Sequence, residues 1–277
     1  MTDVNFERVA ELVGLGLERR EARWLVEEFA VPGDAGLSVG LRRAAQRRLE
    51  GEPLQYVIGH WPFRSLDLDV DERVLVPRPE TEELVDVALG ELLASGSLSP
   101  LVLDLGCGSG AIGLAVLEEL RRRAVDATLV AVDVSPDALA VARANARKHE
   151  LGAVSFVESS WFDQLDPAMR GVVDLIVANP PYVGQSEWAD LDPVLAYEPR
   201  GALVSPDEDG VAGFSDLARI VRGANEWLRP GGSLVLEHGH AHRPALVSLA
   251  SERGYVDVRG FDDLGGHPRI LVARRRA

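Results

Sequence analysis

The sequence predicts an α/β protein: a doubly wound, mostly parallel sheet of seven strands, preceded by a small N-terminal helical bundle. Three observations predict it. From Leu101 onward, short apolar runs alternate with amphipathic stretches, the pattern of strands crossing over through helices. The first of those runs ends in a glycine-rich turn that opens a helix. The residues before them show helical spacing only.

Residues 1–58 form the first unit. Phe6, Val9, Ala10, Leu12 and Val13 recur at helical spacing, as do Ala22, Leu25, Val26 and Phe29, and then Leu41, Ala44, Ala45 and Leu49. Pro32-Gly33-Asp34 breaks the pattern between helices. Residues 59–79 are expected to be a β-hairpin linker. One strand would carry Phe63, Leu66, Leu68 and Val70, the other Val74, Leu75 and Val76, around Asp71-Glu72-Arg73, with Pro77-Arg78-Pro79 ending the second. The third unit, 80–277, opens on an amphipathic helix over 80–93. Strands are expected over 101–105, 128–133, 154–158, 172–178, 232–237, 256–261 and 269–273, and helices over 111–123, 136–150 and 214–228. No helical pattern separates the last two strands, so they are expected to pair antiparallel at the sheet edge.

Bulk properties narrow the function. With 277 residues the chain suits one domain of about 200 residues and a smaller one. No apolar run reaches the roughly 18 residues that span a bilayer. The N-terminus lacks the basic and apolar regions of a secretory signal. Cys107 is the one cysteine, so no internal disulfide forms, which fits a reducing cytoplasm. The net charge is −15, and the first sixty residues hold eight arginines against ten acids, so nearly all of it lies beyond them. Such a surface repels phosphate backbones and suits a basic protein partner or a small molecule, although solubility alone explains it equally well.

The glycine turn is the first candidate site. Val102-Leu103-Asp104-Leu105 runs into Gly106-Cys107-Gly108-Ser109-Gly110, and glycines there let a ligand approach backbone amides at a helix N-terminus. The next strand ends in Asp133, placed to take both hydroxyls of a ribose. Residues 108–113 formally match a dinucleotide fingerprint, and a nicotinamide-dependent dehydrogenase is one reading. S-adenosylmethionine is the other, and it is favoured: Asp104 would repel a pyrophosphate but suits the ammonium end of a methionine portion. A turn that merely packs a helix close to a strand is the bland alternative.

The second candidate is Asn179-Pro180-Pro181-Tyr182, after the apolar run 172–178. Two prolines fix φ, remove two donors and hold an extended corner whose carbonyls have no local partner. An Asn amide and a Tyr ring at its ends suit a planar amide or amine. Asn179 and the Pro180 carbonyl are expected to accept the two N–H bonds of a substrate amide. Tyr182 is expected to pack on the amide plane and help exclude water, with Pro181 stiffening the corner.

These residues resemble the class I, Rossmann-like methyltransferases. More narrowly, the chain resembles the protein-glutamine methyltransferases that modify bacterial peptide chain release factors. The resemblance rests on Pro53-Leu54-Gln55-Tyr56 with Gly59, Pro77-Arg78-Pro79-Glu80-Thr81-Glu82, Asp104 to Gly110, Ala131-Val132-Asp133, Trp161-Phe162, Asn179 to Tyr182, Tyr197-Glu198-Pro199 and Asp209-Gly210. It covers about residues 50–275. It implies methyl transfer from S-adenosylmethionine to the glutamine of the Gly-Gly-Gln loop of class I release factors. It implies cofactor contacts from Asp104, Gly106, Cys107, Gly108, Ser109, Gly110, Asp133 and Asn179, with Trp161 stacked on the adenine. It implies that residues 77–82 cap the methionine side, although Thr81 equally suits a helix N-cap, and that residues 1–58 recognise the substrate. A monomer in the cytoplasm is expected, with no direct nucleic-acid or membrane partner. The alternative, amino-group methylation of nucleic acid, would use the same corner but meets the charge of −15.

The chain departs from the family where Glu-Ile-Gly and a following Gln are usual: here it reads Glu237-His238-Gly239-His240-Ala241-His242. Histidines at alternate positions could line one strand face and hold a metal. With no Cys or carboxylate partner evident they are expected to be surface or loop histidines, and no metal is expected. Glu198 is expected to be a structural carboxylate near the corner. Cys107 has no paired His in sequence and is not expected to be a nucleophile.

Overall fold

A computed structural model describes residues 3–31 and 36–277. Four helices come first: α1 (Asp3–Gly14), α2 (Arg19–Phe29), α3 (Val39–Leu49) and the single turn α4 (Leu54–Ile58). They close over their own small core, in which Leu12, Leu25 and Leu41 are fully buried. Phe6 and Ala10 share the helical spacing but stay on the solvent side, Phe6 at 57% exposure. The break at Pro32-Gly33-Asp34 lies outside the described residues.

A hairpin follows, but not the predicted one. Strands β1 (His60–Phe63) and β2 (Leu66–Asp69) pair antiparallel around Arg64-Ser65. Arg64 takes the left-handed turn at φ 55°. Val70, Val74 and Val76 are buried without being strand, because they lie as an irregular strap against the main core. Tyr56 Oη–H on α4 donates to the Val74 carbonyl at 2.5 Å, tying that strap to the helical unit.

The remaining chain is α5 (Thr81–Ser95), β3 (Leu101–Leu105), α6 (Ala111–Arg122), β4 (Thr128–Asp133), α7 (Pro136–Lys148), β5 (Val154–Glu158), β6 (Val173–Ala178), α8 (Ser215–Trp227), β7 (Leu228–Glu237), α9 (Arg243–Glu252), β8 (Val256–Asp262) and β9 (Pro268–Arg274). The seven strands from β3 onward form one sheet in the order β5-β4-β3-β6-β7-β9-β8. β9 and β8 are antiparallel additions at one edge, and the other pairings are parallel. Helix α9 was not legible in the sequence: its apolar stripe is only Leu246, Leu249 and Ala250, although Pro244 in its first turn is a usual helix start.

Because strand side chains alternate, each central strand feeds two cores. Leu175 and Val177 pack with α5, α6 and α7, while Ile176 and Ala178 pack with α8 and α9. Each fully buried leucine adds about 1.5–3 kcal/mol to this arrangement. Helix α6 lies unusually close to the sheet. A Cβ at Gly113 would sit 2.7 Å from Asp104 Oδ2 and 2.9 Å from both Leu129 methyls. Gly113→Ala should therefore cost about 1–3 kcal/mol by overpacking. Denaturant unfolding should show a lower midpoint with an unchanged slope; an unchanged midpoint would mean that the approach of α6 is not tight.

Candidate active site

The carboxyl ends of β3, β4 and β6 meet at one cavity of about 330 Å³, the switch-point position at which open α/β sheets bind ligands. Its size is that of a small-molecule pocket. The glycine turn forms one side. The N–H groups of Gly106 and Cys107 both donate to the Val132 carbonyl at 2.8 Å, folding the turn across the end of β4. Gly108 N–H donates to Asp133 Oδ2 and Ser135 N–H to Asp133 Oδ1, each at 2.9 Å. Burial raises the Asp133 pKa. Each of its oxygens still has a lone pair to offer.

Trp161 lines the cavity beside the turn, its ring over Gly106. It is held at φ 55°, a conformation that costs a residue other than glycine about 1–3 kcal/mol. Its indole N–H donates to Asp216 Oδ1 at 3.0 Å, which anchors the ring.

The diproline corner closes the cavity. Asn179 Nδ2–H donates to Thr81 Oγ1 at 3.3 Å, and the Thr81 hydroxyl donates to Glu237 Oε2 at 2.7 Å. No donor among the described residues reaches Asn179 Oδ1 or the Pro180 carbonyl. Behind the corner, Tyr182 N–H and Val183 N–H both donate to the Leu203 carbonyl, at 3.2 and 2.9 Å. Gly213, at φ 62°, lets the backbone pass: a Cβ there would lie 2.2 Å from the Tyr182 carbonyl oxygen. A clamp on the linker completes the wall. Buried Glu198 accepts Val76 N–H at 3.0 Å and an Arg78 guanidinium N–H at 2.5 Å.

A methyltransferase domain model matches residues 101–256, more than half of the chain. Three proteins called release factor glutamine methyltransferase are similar over most of it. That of Bordetella pertussis is 39% identical over 92% of this chain and 94% of its own. That of Salmonella typhimurium is 40% identical over 83% and 78%, and that of Aliivibrio fischeri 36% over 83% and 76%. The chain belongs to the release factor glutamine methyltransferase family. Solved structures agree on the fold. A methyltransferase from Pyrococcus furiosus superposes with a TM-score of 0.53 at 16% identity, covering 85% of this chain and 98% of that one. A 16S rRNA methyltransferase from T. thermophilus superposes with a TM-score of 0.55 at 18% identity, covering 78% and 50%.

Of the residues singled out in the sequence of this family member, Gly106, Cys107, Gly108, Ser109, Asp133, Trp161, Asn179 and Pro181 line the cavity. Asp104, Gly110, Pro180 and Tyr182 do not. Asp104 is 1% exposed beneath the turn, its Oδ2 accepting Gly113 N–H at 2.9 Å and its Oδ1 without a partner. It braces α6 against β3, and burial pushes its pKa up to about 7. The Tyr182 hydroxyl turns away from the cavity, 3.5 Å from Glu237 Oε1 and 3.4 Å from an Arg269 nitrogen, and burial pushes its pKa up to about 12. The Cys107 thiol is buried and its pKa raised, the reverse of an activated nucleophile.

Thr81 does not cap α5. The N-cap is Glu80, and the Thr81 hydroxyl is spent on Glu237 instead. The three histidines share no face: His238 and His242 are buried, with ring nitrogens against the Gly239 and Ala212 carbonyls, and His240 is exposed. Burial lowers the His238 pKa to about 4. Among the described residues no three His, Cys, Asp or Glu are grouped to hold a metal ion.

Burial raises the Glu237 pKa from 4.5 to about 7, the largest influence on it, ahead of the hydrogen bond from Thr81. Between those values the folded chain holds a proton that the unfolded chain has lost. The associated stability is therefore complete below about pH 4.5 and is lost as pH rises through 7. Relative to Glu237→Gln, wild type should lose roughly 3 kcal/mol of unfolding free energy as pH rises across that range. A difference independent of pH would mean that Glu237 titrates normally.

Proposed function

We propose that the chain transfers a methyl group from S-adenosylmethionine to the side-chain amide nitrogen of the glutamine in the Gly-Gly-Gln loop of class I peptide chain release factors. One observation carries this reading: Asn179 is held by its Nδ2, so a free amide oxygen stands on the wall of the cavity that Asp133 and Trp161 also line. The relatives named for release factor glutamine weigh against nucleic acid as the substrate, as does the charge of −15.

The donor fits these residues. Asp133 would take the ribose hydroxyls, Trp161 would stack on the adenine, and the open backbone face of the 106–109 turn would lie against the remainder. Bound donor supplies a methyl group on a positively charged sulfur. The chain supplies orientation. An amide nitrogen is a poor nucleophile because its lone pair is delocalised. Asn179 Oδ1, on the cavity wall, accepts one of its N–H bonds. The Pro180 carbonyl, unpaired but set behind the lining, accepts the other once the substrate reaches the corner. Together they aim the nitrogen at the methyl, and alignment of this kind contributes up to about 7–11 kcal/mol. Those acceptors also draw electron density toward nitrogen as the new bond forms. No strong base is needed, because the methylated nitrogen is acidic and loses its proton readily. Tyr182 backs the corner and keeps water from it.

The helical unit presents the release factor to this cavity. The Tyr56 bond to Val74 and a Tyr197 Oη–H bond to the Glu50 carbonyl at 2.9 Å support that role, because they fix the unit beside the mouth. A substrate used in translation places the reaction in the cytoplasm. No described helix is long and apolar enough to cross a membrane.

Incubation of the full chain with labelled donor and a purified release factor should add one methyl group to the Gly-Gly-Gln glutamine, located by mass spectrometry. Asn179→Ala should lower turnover at least about 1,000-fold with donor affinity within about threefold. Methylation of another residue type would overturn the substrate, and near-wild-type turnover in the variant would overturn the role of Asn179.

A further inference from the structure

We propose that Glu237 is a positioning residue for methyl transfer: acting through the Thr81 hydroxyl, it decides which end of the Asn179 amide faces the substrate. The proposal rests on the glutamine-methylation reading above and adds to it the source of the corner's polarity.

The argument is a proton count. A hydroxyl has one proton to donate, and an ionised carboxylate only accepts. Once Glu237 is ionised, above about pH 7, the Thr81 proton is committed to Glu237 Oε2 at 2.7 Å. Toward Asn179 the Thr81 oxygen can then only accept, so the Asn179 atom 3.3 Å away must be Nδ2. Oδ1 is thereby turned to the cavity. A flipped Asn179 would set oxygen against oxygen at Thr81. It would also present N–H groups to the substrate, and those select the carbonyl oxygen of a glutamine amide rather than its nitrogen. The direction of one hydrogen bond thus separates an amide positioned for N-methylation from one positioned the wrong way round.

The surroundings support a dedicated role. Glu237 is 1% exposed at the end of β7, where an ionised carboxylate is costly. Its cationic neighbour Arg269 makes its own ion pair with Asp263 at 3.2 Å, and its other side-chain hydrogen bond among the described residues is to the Tyr182 hydroxyl. The hydroxyl of Thr81, at the first position of α5, forgoes a capping role to reach it. Thr81 lines the cavity beside Asn179, and Glu237 lies behind it, outside the lining.

The test measures kcat, KM and donor affinity for full-length variants at about pH 8.5, above the titration of Glu237. Thr81→Val should lower kcat about 30-fold or more, with both KM values and donor affinity within about threefold. Thr81→Ser, which keeps the hydroxyl, should restore most of that loss. Glu237→Gln should lower kcat about tenfold, because a carboxamide can accept from Thr81 or donate to it. The double variant should be no slower than Thr81→Val alone, since both changes break one relay. Multiplicative losses, or kcat in Thr81→Val within twofold of wild type, would overturn the proposal. The relay also has a readout without substrate: the side-chain amide protons of Asn179, followed by NMR, should lose at least about tenfold of their exchange protection in Glu237→Gln. Equal protection in wild type and variant would overturn the relay even if Thr81→Val failed to fold. If wild type failed to methylate a release-factor glutamine, the functional reading would fall, and the amide signal would still decide the relay.

Discussion

The hydrogen bond between Thr81 and Glu237 joins the start of α5 to the end of β7 beneath the diproline corner. The geometry of the site depends on it. Without it, Thr81 would be a helix-start residue and Glu237 an unpaired buried acid. With it, the Asn179 amide has a defined direction, and the corner presents oxygen to the cavity. Gly213 and the Leu203 carbonyl hold the backbone of that corner from behind, so the side chain and main chain of one short segment are set by different parts of the fold.

Parallel strands explain why the acids gather there. A doubly wound sheet brings the carboxyl ends of β3, β4, β6 and β7 to one edge. Three of those ends carry a buried or half-buried carboxylate: Asp104, Asp133 and Glu237. Each does something different. Asp104 braces α6, Asp133 brackets the glycine turn and faces the cavity, and Glu237 acts through Thr81. Their raised pKa values have the same cause, removal from water.

Legibility in the sequence followed the range of the interaction. Strand runs, the glycine turn and the Asn-Pro-Pro-Tyr corner are local patterns, and they were readable because period and turn chemistry act over a few residues. The hairpin lies earlier than the sequence predicts because Val70, Val74 and Val76 have strand-like composition but are buried as an irregular strap. The sequence neighbourhood of Asp104 points to the ligand, whereas packing turns it to Gly113. The Thr81–Glu237 and Glu198–Val76 contacts span 156 and 122 residues and exist only once the strands are ordered. A carboxylate closing an apolar strand at the cavity edge was the one available signal for Glu237, as it had been for Asp133.

The most direct test is a crystal structure of the full chain with the demethylated donor product and a peptide carrying Gly-Gly-Gln. The account predicts the glutamine nitrogen within hydrogen-bond distance of both Asn179 Oδ1 and the Pro180 carbonyl, with Asn179 Nδ2 still on Thr81. A glutamine bound through its carbonyl oxygen to Asn179, or lodged away from the corner, would contradict it.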